Sequence, residues 1–194
     1  MKIYFSVVRR WWTVPAALVL LALVCWVLGG TEVPVPGFLG GMVSMRVQYF
    51  TPLLVIGAIL YCLDRRLTAP EMTAVVHVER RDLSAVTAAV ALCHLLGLIV
   101  GMDIPRNLMV LLAVALIVRR LSNEAAAGAA CLLLLLASAS LGRAYQPSGQ
   151  PTGEWWALTL YPSENLSAWT AAAVLFGLGL LASGQRLSST RSSR

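Results

Sequence analysis

The residues that could carry out chemistry in this chain are a histidine and two serines inside apolar stretches. His94, Ser138 and Ser140 offer the base and the nucleophile that an intramembrane serine protease needs. Ser140 lacks the Gly-x-Ser-Gly turn of such proteases, and small hydroxylated residues also help transmembrane helices to pack closely. We therefore expect His94 to be a neutral imidazole bonded to a neighbouring helix, and an intramembrane enzyme is the weakest of three functional hypotheses.

Other motifs for catalysis or ligand binding are absent from the sequence. It contains no GxxxxGK[ST] phosphate loop, no HExxH pair and no cluster of His, Asp and Glu at metal-ligand spacing. The four cysteines fall in separate apolar runs and are expected to be small buried hydrophobes: Cys25, Cys62, Cys93 and Cys131. We predict no catalytic site, no cofactor and no metal ion in this chain.

The composition is that of a membrane protein. Hydrophobic residues make up 58% of the chain and charged residues 12%, with a mean hydropathy of +0.76. The net charge of +6 is divided into short basic clusters between apolar runs. Such clusters favour contact with the anionic headgroups of a lipid bilayer, and we expect no nucleic-acid partner.

The apolar runs predict an all-α integral membrane protein, a single transmembrane domain over residues 1–194 with six transmembrane helices. The spans are predicted at about 13–29, 48–63, 83–101, 104–118, 124–141 and 166–183. Between the first two spans, a loop rich in Pro and Gly around Arg46 is expected on the outer side.

The first segment, residues 1–12, mixes basic and aromatic side chains. This pattern predicts a short interfacial elbow helix anchored by Arg9, Arg10, Trp11 and Trp12. A signal peptide is the alternative, since a basic region precedes an apolar one.

A second aromatic stretch, residues 142–165, separates the last two spans. We expect it to be an outer re-entrant segment, with a short helix over Glu154 to Tyr161 that dips into the interface and with Trp155 and Trp156 as anchors.

The longest polar stretch between spans predicts a short cytoplasmic helix at about 69–80. Thr68 and Glu71 have the spacing of a capping box, and Pro70 falls in the first turn, where its missing N–H does no harm. An ordinary solvated loop is the alternative.

The distribution of Lys and Arg predicts the orientation. Twelve of them fall in the N-terminus, the 64–82 connection, the 119–124 turn and the C-terminal tail, whereas the opposite side has only Arg46, Arg106 and Arg143. The positive-inside rule then places both termini in the cytoplasm and favours an even number of spans.

The order of these features resembles the membrane subunit of a type-2 ABC exporter. In that comparison MKIYFSVVRRWW is the elbow helix, APEMTAVVHVER the coupling helix and GEWWALTLYPSEN the re-entrant segment. The resemblance covers nearly the whole chain and is one of layout.

The resemblance implies a permease subunit in the cell membrane that works with a second permease copy, or a homologous permease subunit, and with a separate ATP-binding cassette ATPase subunit. That ATPase subunit would dock on the cytoplasmic helix around Thr68, Glu71, His77, Glu79 and Arg80. A pore lined mainly by Leu, Val and Ala predicts a hydrophobic or amphipathic substrate, such as a lipid, peptide or natural product. The alternative is a non-transporting membrane scaffold that recruits other proteins.

Overall fold

The computed structural model describes residues 10–36, 42–64, 68–145 and 151–184, with the backbone alone at residues 36, 43, 68–81, 143–145 and 151–153. This part of the chain is mostly helical and contains six α-helices. They are α1 (Thr13–Leu28), α2 (Pro52–Asp64), α3 (Thr68–Val100), α4 (Asp103–Leu121), α5 (Glu124–Leu141) and α6 (Leu166–Gly184).

Four helical stretches in the described part are long and apolar enough to cross a membrane. They are Val47–Asp64, Asp82–Val100, Glu124–Leu141 and Leu166–Gly184. Helix α1 is also apolar but has only 16 residues. The four long helices are compatible with a membrane location. That all six helices cross the membrane stays a prediction.

Helix α4 is the most deeply buried helix of the bundle, although it carries four charged residues. Twelve of its 19 residues are buried, and α2, α3, α5 and α6 all pack against it. Its charged residues lie at its two ends, with Asp103 and Arg106 at one end and Arg119 and Arg120 at the other. Helix α4 is not among the four apolar stretches because it has too many charged residues. Its three arginines donate hydrogen bonds to backbone carbonyls, as a buried or partly buried cation requires.

The closest approach of α6 to α4 depends on a glycine. A methyl group added at Gly179 would lie 3.1 Å from Ala113 Cα and 3.3 Å from the Ala113 carbonyl oxygen. Small residues at such positions let two helix backbones pack directly against each other. Gly177, two residues earlier, differs because an added methyl group would meet no atom within 4 Å.

The predicted cytoplasmic helix and the third span are one helix in the structure. The sequence analysis separates about 69–80 from about 83–101, whereas α3 runs without a break for 33 residues. The boundary residues Arg80, Arg81 and Asp82 are charged, but none of them is the Gly or Pro that interrupts a helix. A charged boundary limits how deeply a helix enters the bilayer, yet it does not end the helix.

Helices α3 and α4 form the tight hairpin that the sequence predicts. Gly101 has φ +138°, a conformation that side-chain-bearing residues rarely adopt, and a Cβ there would lie 2.7 Å from a carboxylate oxygen of Asp103. Gly97 lies against the ring of Pro105, since an added Cβ would be 2.8 Å from Pro105 Cγ. The two helices are therefore in close contact at the turn.

Two small β-ribbons lie at the end of the bundle that we call the outer end, because it is predicted to face outward. Strands β1 (Glu32–Pro36) and β2 (Met42–Arg46) pair antiparallel, and so do β3 (Arg143–Tyr145) and β4 (Pro151–Gly153). The prolines of β1 are tolerated because a two-stranded ribbon leaves half of its backbone donors unpaired.

The short interfacial helix expected over Glu154 to Tyr161 is not observed. This region contains only a single 3-10 turn at Leu158–Leu160. Its backbone bonds close over three residues, from Ala157 N–H to Glu154 O and from Leu160 N–H to Ala157 O. The following Pro162 lacks the N–H that would continue the turn as an α-helix.

We predict that Gly179→Leu lowers the free energy of unfolding by about 1 to 3 kcal/mol, because the added side chain must displace the α4 backbone at Ala113. Denaturant unfolding of the purified chain in mild detergent measures the change. Gly177→Leu is the matched control and should not lower the free energy of unfolding, since an added Cβ there meets no atom within 4 Å. Equal destabilisation by both variants would contradict a tight α4–α6 contact.

Candidate functional site

The residues predicted to dock an ATPase subunit all fall in the N-terminal part of α3. Thr68, Glu71, His77, Glu79 and Arg80 lie on this helix, and their side chains are outside the described part of the structure. From Thr68 to Arg80 the helix axis extends about 18 Å, at 1.5 Å per residue. The backbone thus presents these residues on one regular, continuous helix.

The predicted membrane anchors divide into two groups. Trp12 and Trp155 are 60% and 80% exposed, as an indole in a headgroup layer would be, whereas Trp11 and Trp156 are half-buried. Trp11 packs against the hydrophobic core. The exposed Arg10 donates a hydrogen bond to the Tyr61 hydroxyl at 3.4 Å, and Arg9 lies outside the described residues.

A third exposed indole was missed by the sequence analysis. Trp26 is 88% exposed near the outer end of α1. It lies about 21 Å along the helix axis from Trp12, at 1.5 Å per residue. Its position near the end of an apolar run was the available signal, since aromatic residues favour both interfaces of a bilayer.

His94 is bonded within its own helix and not to a neighbouring helix as predicted. Its Nδ1 lies 2.8 Å from the Val90 carbonyl oxygen. A carbonyl can only accept, so Nδ1 carries the proton. The neighbouring helix contributes Trp169, whose ring centre lies 5.7 Å from that of the imidazole, at an interplanar angle of 46°. Both contacts are those of a packed side chain.

The serines are not paired with this histidine in the described part of the chain. Ser138 is 1% exposed, and its hydroxyl has no hydrogen-bond partner among the described residues. The bond of His94 to Val90 is the arrangement of a structural imidazole, without the serine contact that a nucleophile–base pair requires.

The most polar buried site of the described structure is centred on Arg106, near the outer end of α4. Arg106 is fully buried. Its Nη1 donates to the Pro162 carbonyl oxygen at 2.8 Å, and its Nη2 donates to the Tyr161 carbonyl oxygen at 2.6 Å. Next to it, Asn107 Nδ2 donates to the Thr159 carbonyl oxygen at 3.2 Å. Two consecutive residues of α4 therefore bind three carbonyl groups of the segment before α6.

Burial of a guanidinium without partners would cost several kcal/mol or more, and here the cost is offset in three ways. The two backbone carbonyls accept charge-assisted bonds, and the Asn107 amide oxygen lies 3.3 Å from Nη2. Asp103, one helical turn earlier, interacts electrostatically with Arg106. Gln48 Nε2 in turn donates to Asp103 at 3.2 Å and holds that carboxylate in place.

The hydrogen bonds of the Arg106 site are structural links between two elements of the chain. Its bonds join α4 to a segment 55 residues further along the chain. The sequence analysis counted Arg106 among the cations of the outer loops. The signal that could have identified the site is an Arg-Asn pair inside a predicted span, because an ionisable residue there needs a protein partner.

At the opposite end of α4, two further arginines bind the carbonyl ends of other helices. Arg119 Nη2 donates to the Leu63 carbonyl oxygen of α2 at 2.8 Å, and Arg120 Nη1 donates to the Ala182 carbonyl oxygen of α6. A cation at a helix C-terminus is stabilised by the helix dipole and satisfies a carbonyl that has no partner within its helix.

No family model matches the chain, and no curated protein or solved structure is significantly similar to it. The resemblance to type-2 ABC exporter membrane subunits therefore remains one of layout. The function has to be argued from the geometry.

We predict that Arg106→Met loosens the segment between β4 and α6. The variant leaves the carbonyls of Tyr161 and Pro162 without their charged donor, at a cost of about 2 kcal/mol. Hydrogen–deuterium exchange of residues 154–165 should rise at least about tenfold, which corresponds to about 1.4 kcal/mol of lost protection.

The matched control is Arg46→Met, which removes an exposed arginine from the outer β1–β2 ribbon. This variant should leave exchange in residues 154–165 unchanged. Unaltered exchange in Arg106→Met as well would show that the guanidinium does not hold the segment.

Proposed function

We propose that this chain is the membrane-spanning permease subunit of an ATP-driven ABC transporter, which exports a hydrophobic or amphipathic substrate together with a separate ATP-binding subunit. The observation that carries the proposal is the continuity of α3, which joins the charged stretch from Thr68 to Arg81 to the apolar stretch Asp82–Val100 in one helix.

The length of α3 suits the transmission of movement from a partner. A helix of 33 residues is about 50 Å long, whereas the hydrocarbon core of a bilayer is about 30 Å thick. About 20 Å of α3 would then project beyond the hydrocarbon. Because no hinge interrupts the helix, displacement of this polar part would also displace the apolar part.

The composition of the polar part suits a protein interface. The stretch contains both acidic and basic residues, with Glu71 and Glu79 followed by Arg80 and Arg81. Charges of both signs are typical of an interface rim, where they set orientation and exclude wrong partners. In this proposal the positive-inside distribution places the stretch in the cytoplasm, and ATP hydrolysis belongs entirely to the partner subunit.

The apolar part of α3 packs against the helices that a conformational change would have to move. It contacts α1, α4 and α6. Helices α1, α5 and α6 present exposed apolar side chains, among them Val19, Leu133 and Leu181, which a second permease subunit or lipid would cover in the membrane.

We expect a tagged chain, purified from its native host in mild detergent, to carry a stoichiometric ATP-binding subunit. Charge reversal at the docking residues, Glu71→Lys with Arg80→Glu, should abolish the association, because each reversal places like charges opposite each other in the interface. Quantitative mass spectrometry of the copurified proteins measures the result. Glu164→Lys, an exposed residue at the outer end, is the control and should retain the partner.

Recovery of other proteins in place of an ATPase, from a chain that is correctly folded, would contradict the transporter and favour a membrane scaffold. The same conclusion would follow if the charge-reversed chain retained the ATPase in full.

A second prediction concerns coupling through α3. Leu83→Gly with Ser84→Gly should leave the partner bound but uncouple it, because each glycine weakens the helix by about 1 kcal/mol relative to alanine at the junction of its polar and apolar parts. The measurement compares the ATPase activity of the partner subunit alone with its activity in a complex reconstituted with each variant of the membrane subunit. Leu83→Ala with Ser84→Ala is the matched control, which keeps the helix intact.

Stimulation of the ATPase by the membrane subunit should fall in the glycine variant and persist in the alanine variant. If both variants stimulate the ATPase equally, the functional coupling of the two subunits does not depend on the continuity of α3.

A further inference from the structure

The exposed side of α1 is an apolar stripe with a tryptophan at each end. Its side chains are Trp12, Val19, Leu23 and Trp26, and all four are exposed. At about 3.6 residues per turn their positions fall within about 60° of one another around the helix axis, so they form one surface, which we call the α1 stripe. Other sides of α1 pack against α2 and α3.

The two ends of the α1 stripe indicate how much hydrocarbon this helix can cross. Indole rings favour the boundary between hydrocarbon and headgroups, and Trp12 and Trp26 are about 21 Å apart along the helix axis. Residues 13–25 between them contain no charged side chain. Charged residues follow outside both indoles, with the exposed Arg10 at the inner end and the exposed Glu32 at the outer end. The hydrocarbon beside α1 is therefore limited to about 21 Å, whereas that of a typical bilayer is about 30 Å thick.

Helix α2 is also short, and it lies at the same depth as α1. Two side-chain contacts establish the common depth. Thr13 Oγ1 lies 3.1 Å from Cys62 Sγ near the inner end, and Cys25 Sγ lies 3.4 Å from Thr51 Oγ1 near the outer end. Between these two contacts α2 rises about 17 Å, at 1.5 Å per residue, and it ends two residues later at the charged Asp64. The two neighbouring helices therefore share one short apolar span.

The apolar stretches of the other lipid-facing helices are longer. The stretches Asp82–Val100, Glu124–Leu141 and Leu166–Gly184 contain 18 or 19 residues each. At 1.5 Å per residue they are about 27 to 29 Å long, close to the thickness of a typical hydrocarbon core. The bundle thus matches an ordinary bilayer at α3, α5 and α6, but it is too short for one at α1 and α2.

A short span is accommodated by thinning of the bilayer, by snorkelling of flanking side chains or by association with another protein. Tilting does not help, because it shortens the span along the membrane normal further. Snorkelling of Arg10 would extend the inner end without moving either indole. Association through this surface is disfavoured, since helix contacts in membranes are enriched in small residues, whereas the α1 stripe consists of Trp, Val and Leu. An indole at each end, with a cation for lipid phosphates beside the inner one, favours lipid as the occupant.

We propose that the bilayer is locally thinned beside α1 and α2, and that the α1 stripe preferentially binds phospholipids with short acyl chains. The acyl chains lie along Val19 and Leu23. Headgroups of the inner leaflet contact Trp12 and Arg10, and headgroups of the outer leaflet contact Trp26. This inference does not rest on the proposed transport function, because it requires only that α1 crosses the membrane.

The experiment measures quenching of tryptophan fluorescence by brominated lipids around the full chain. The α1 reporter keeps Trp12 and Trp26 and replaces the other four tryptophans by Trp11→Phe, Trp155→Phe, Trp156→Phe and Trp169→Phe. It is reconstituted in vesicles of dioleoylphosphatidylcholine that contain increasing fractions of brominated dimyristoleoylphosphatidylcholine, which has shorter chains, or of brominated dioleoylphosphatidylcholine. The short-chain lipid should bind beside the reporter about threefold better than the dioleoyl lipid, because it relieves the mismatch.

The matched control moves the reporter to the longer helix α6. It carries the same four substitutions together with Trp12→Phe, Trp26→Phe and Val174→Trp, which places an indole at an exposed position of α6. The two brominated lipids should bind equally well beside this reporter, because α6 matches an ordinary bilayer.

The unsubstituted chain provides a second measurement that does not depend on the folding of the variants. Its exposed indoles in the described part of the chain are Trp12, Trp26 and Trp155. Two of these three belong to the α1 stripe, so the preference for the short-chain lipid should persist there in weaker form.

Equal binding of the two lipids beside the α1 reporter would overturn the proposal, because the bilayer there would then have its ordinary thickness. Weak quenching of the α1 reporter by both lipids, with strong quenching of the α6 reporter, would also overturn it, by showing that a second copy covers the α1 stripe. Since the chain is measured in the absence of an ATPase, failure here is distinguishable from failure of the transporter proposal.

Discussion

The fold depends on hydrogen bonds from the arginines of α4 to backbone carbonyl groups of other elements. Arg106 binds the carbonyls of Tyr161 and Pro162 at the outer end, and Arg119 and Arg120 bind carbonyls near the C-termini of α2 and α6 at the inner end. A guanidinium has five donors and no acceptor, whereas the last carbonyls of a helix lack donors within that helix. Each group supplies what the other needs. A helix with charged ends can therefore occupy the centre of an otherwise apolar bundle.

The central position of α4 determines which side of each surrounding helix is buried. With α4 enclosed, the surrounding helices bury one side against it and leave Leu, Val and Trp side chains on their outer surfaces. This arrangement is stable only where lipid or another apolar surface covers those side chains. The contact of Gly179 with Ala113 brings α6 close to α4, and the hydrogen bond of Arg120 to Ala182 joins the same two helices. Arg106 joins the other end of α4 to the segment before α6.

The two ends of the bundle differ in the contacts that hold them together. At the outer end the Arg106 site holds the segment before α6, and a small apolar cluster of Val35, Met45 and Ala139 joins the first β-ribbon to α5. At the inner end, Arg119 and Arg120 join α4 to α2 and α6, and an open groove lies between α2 and α5. The described outer end is thus held together by its own chain, whereas the polar part of α3, to which the proposed partner subunit would bind, begins at the inner end.

The sequence by itself determined that the chain is helical and apolar, and it located five of the six helices to within a few residues, because apolar runs bounded by charges and by Gly or Pro are local signals. It also predicted the tight turn between α3 and α4. The union of 69–80 with the third span was missed, since charge marks the edge of a membrane but not the end of a helix. Only the tertiary structure decided that α4 is central, that His94 bonds to Val90, and that Arg106 binds carbonyls 55 residues away. These features depend on which helix faces lipid and which faces protein, and a linear pattern of residue types does not contain that information.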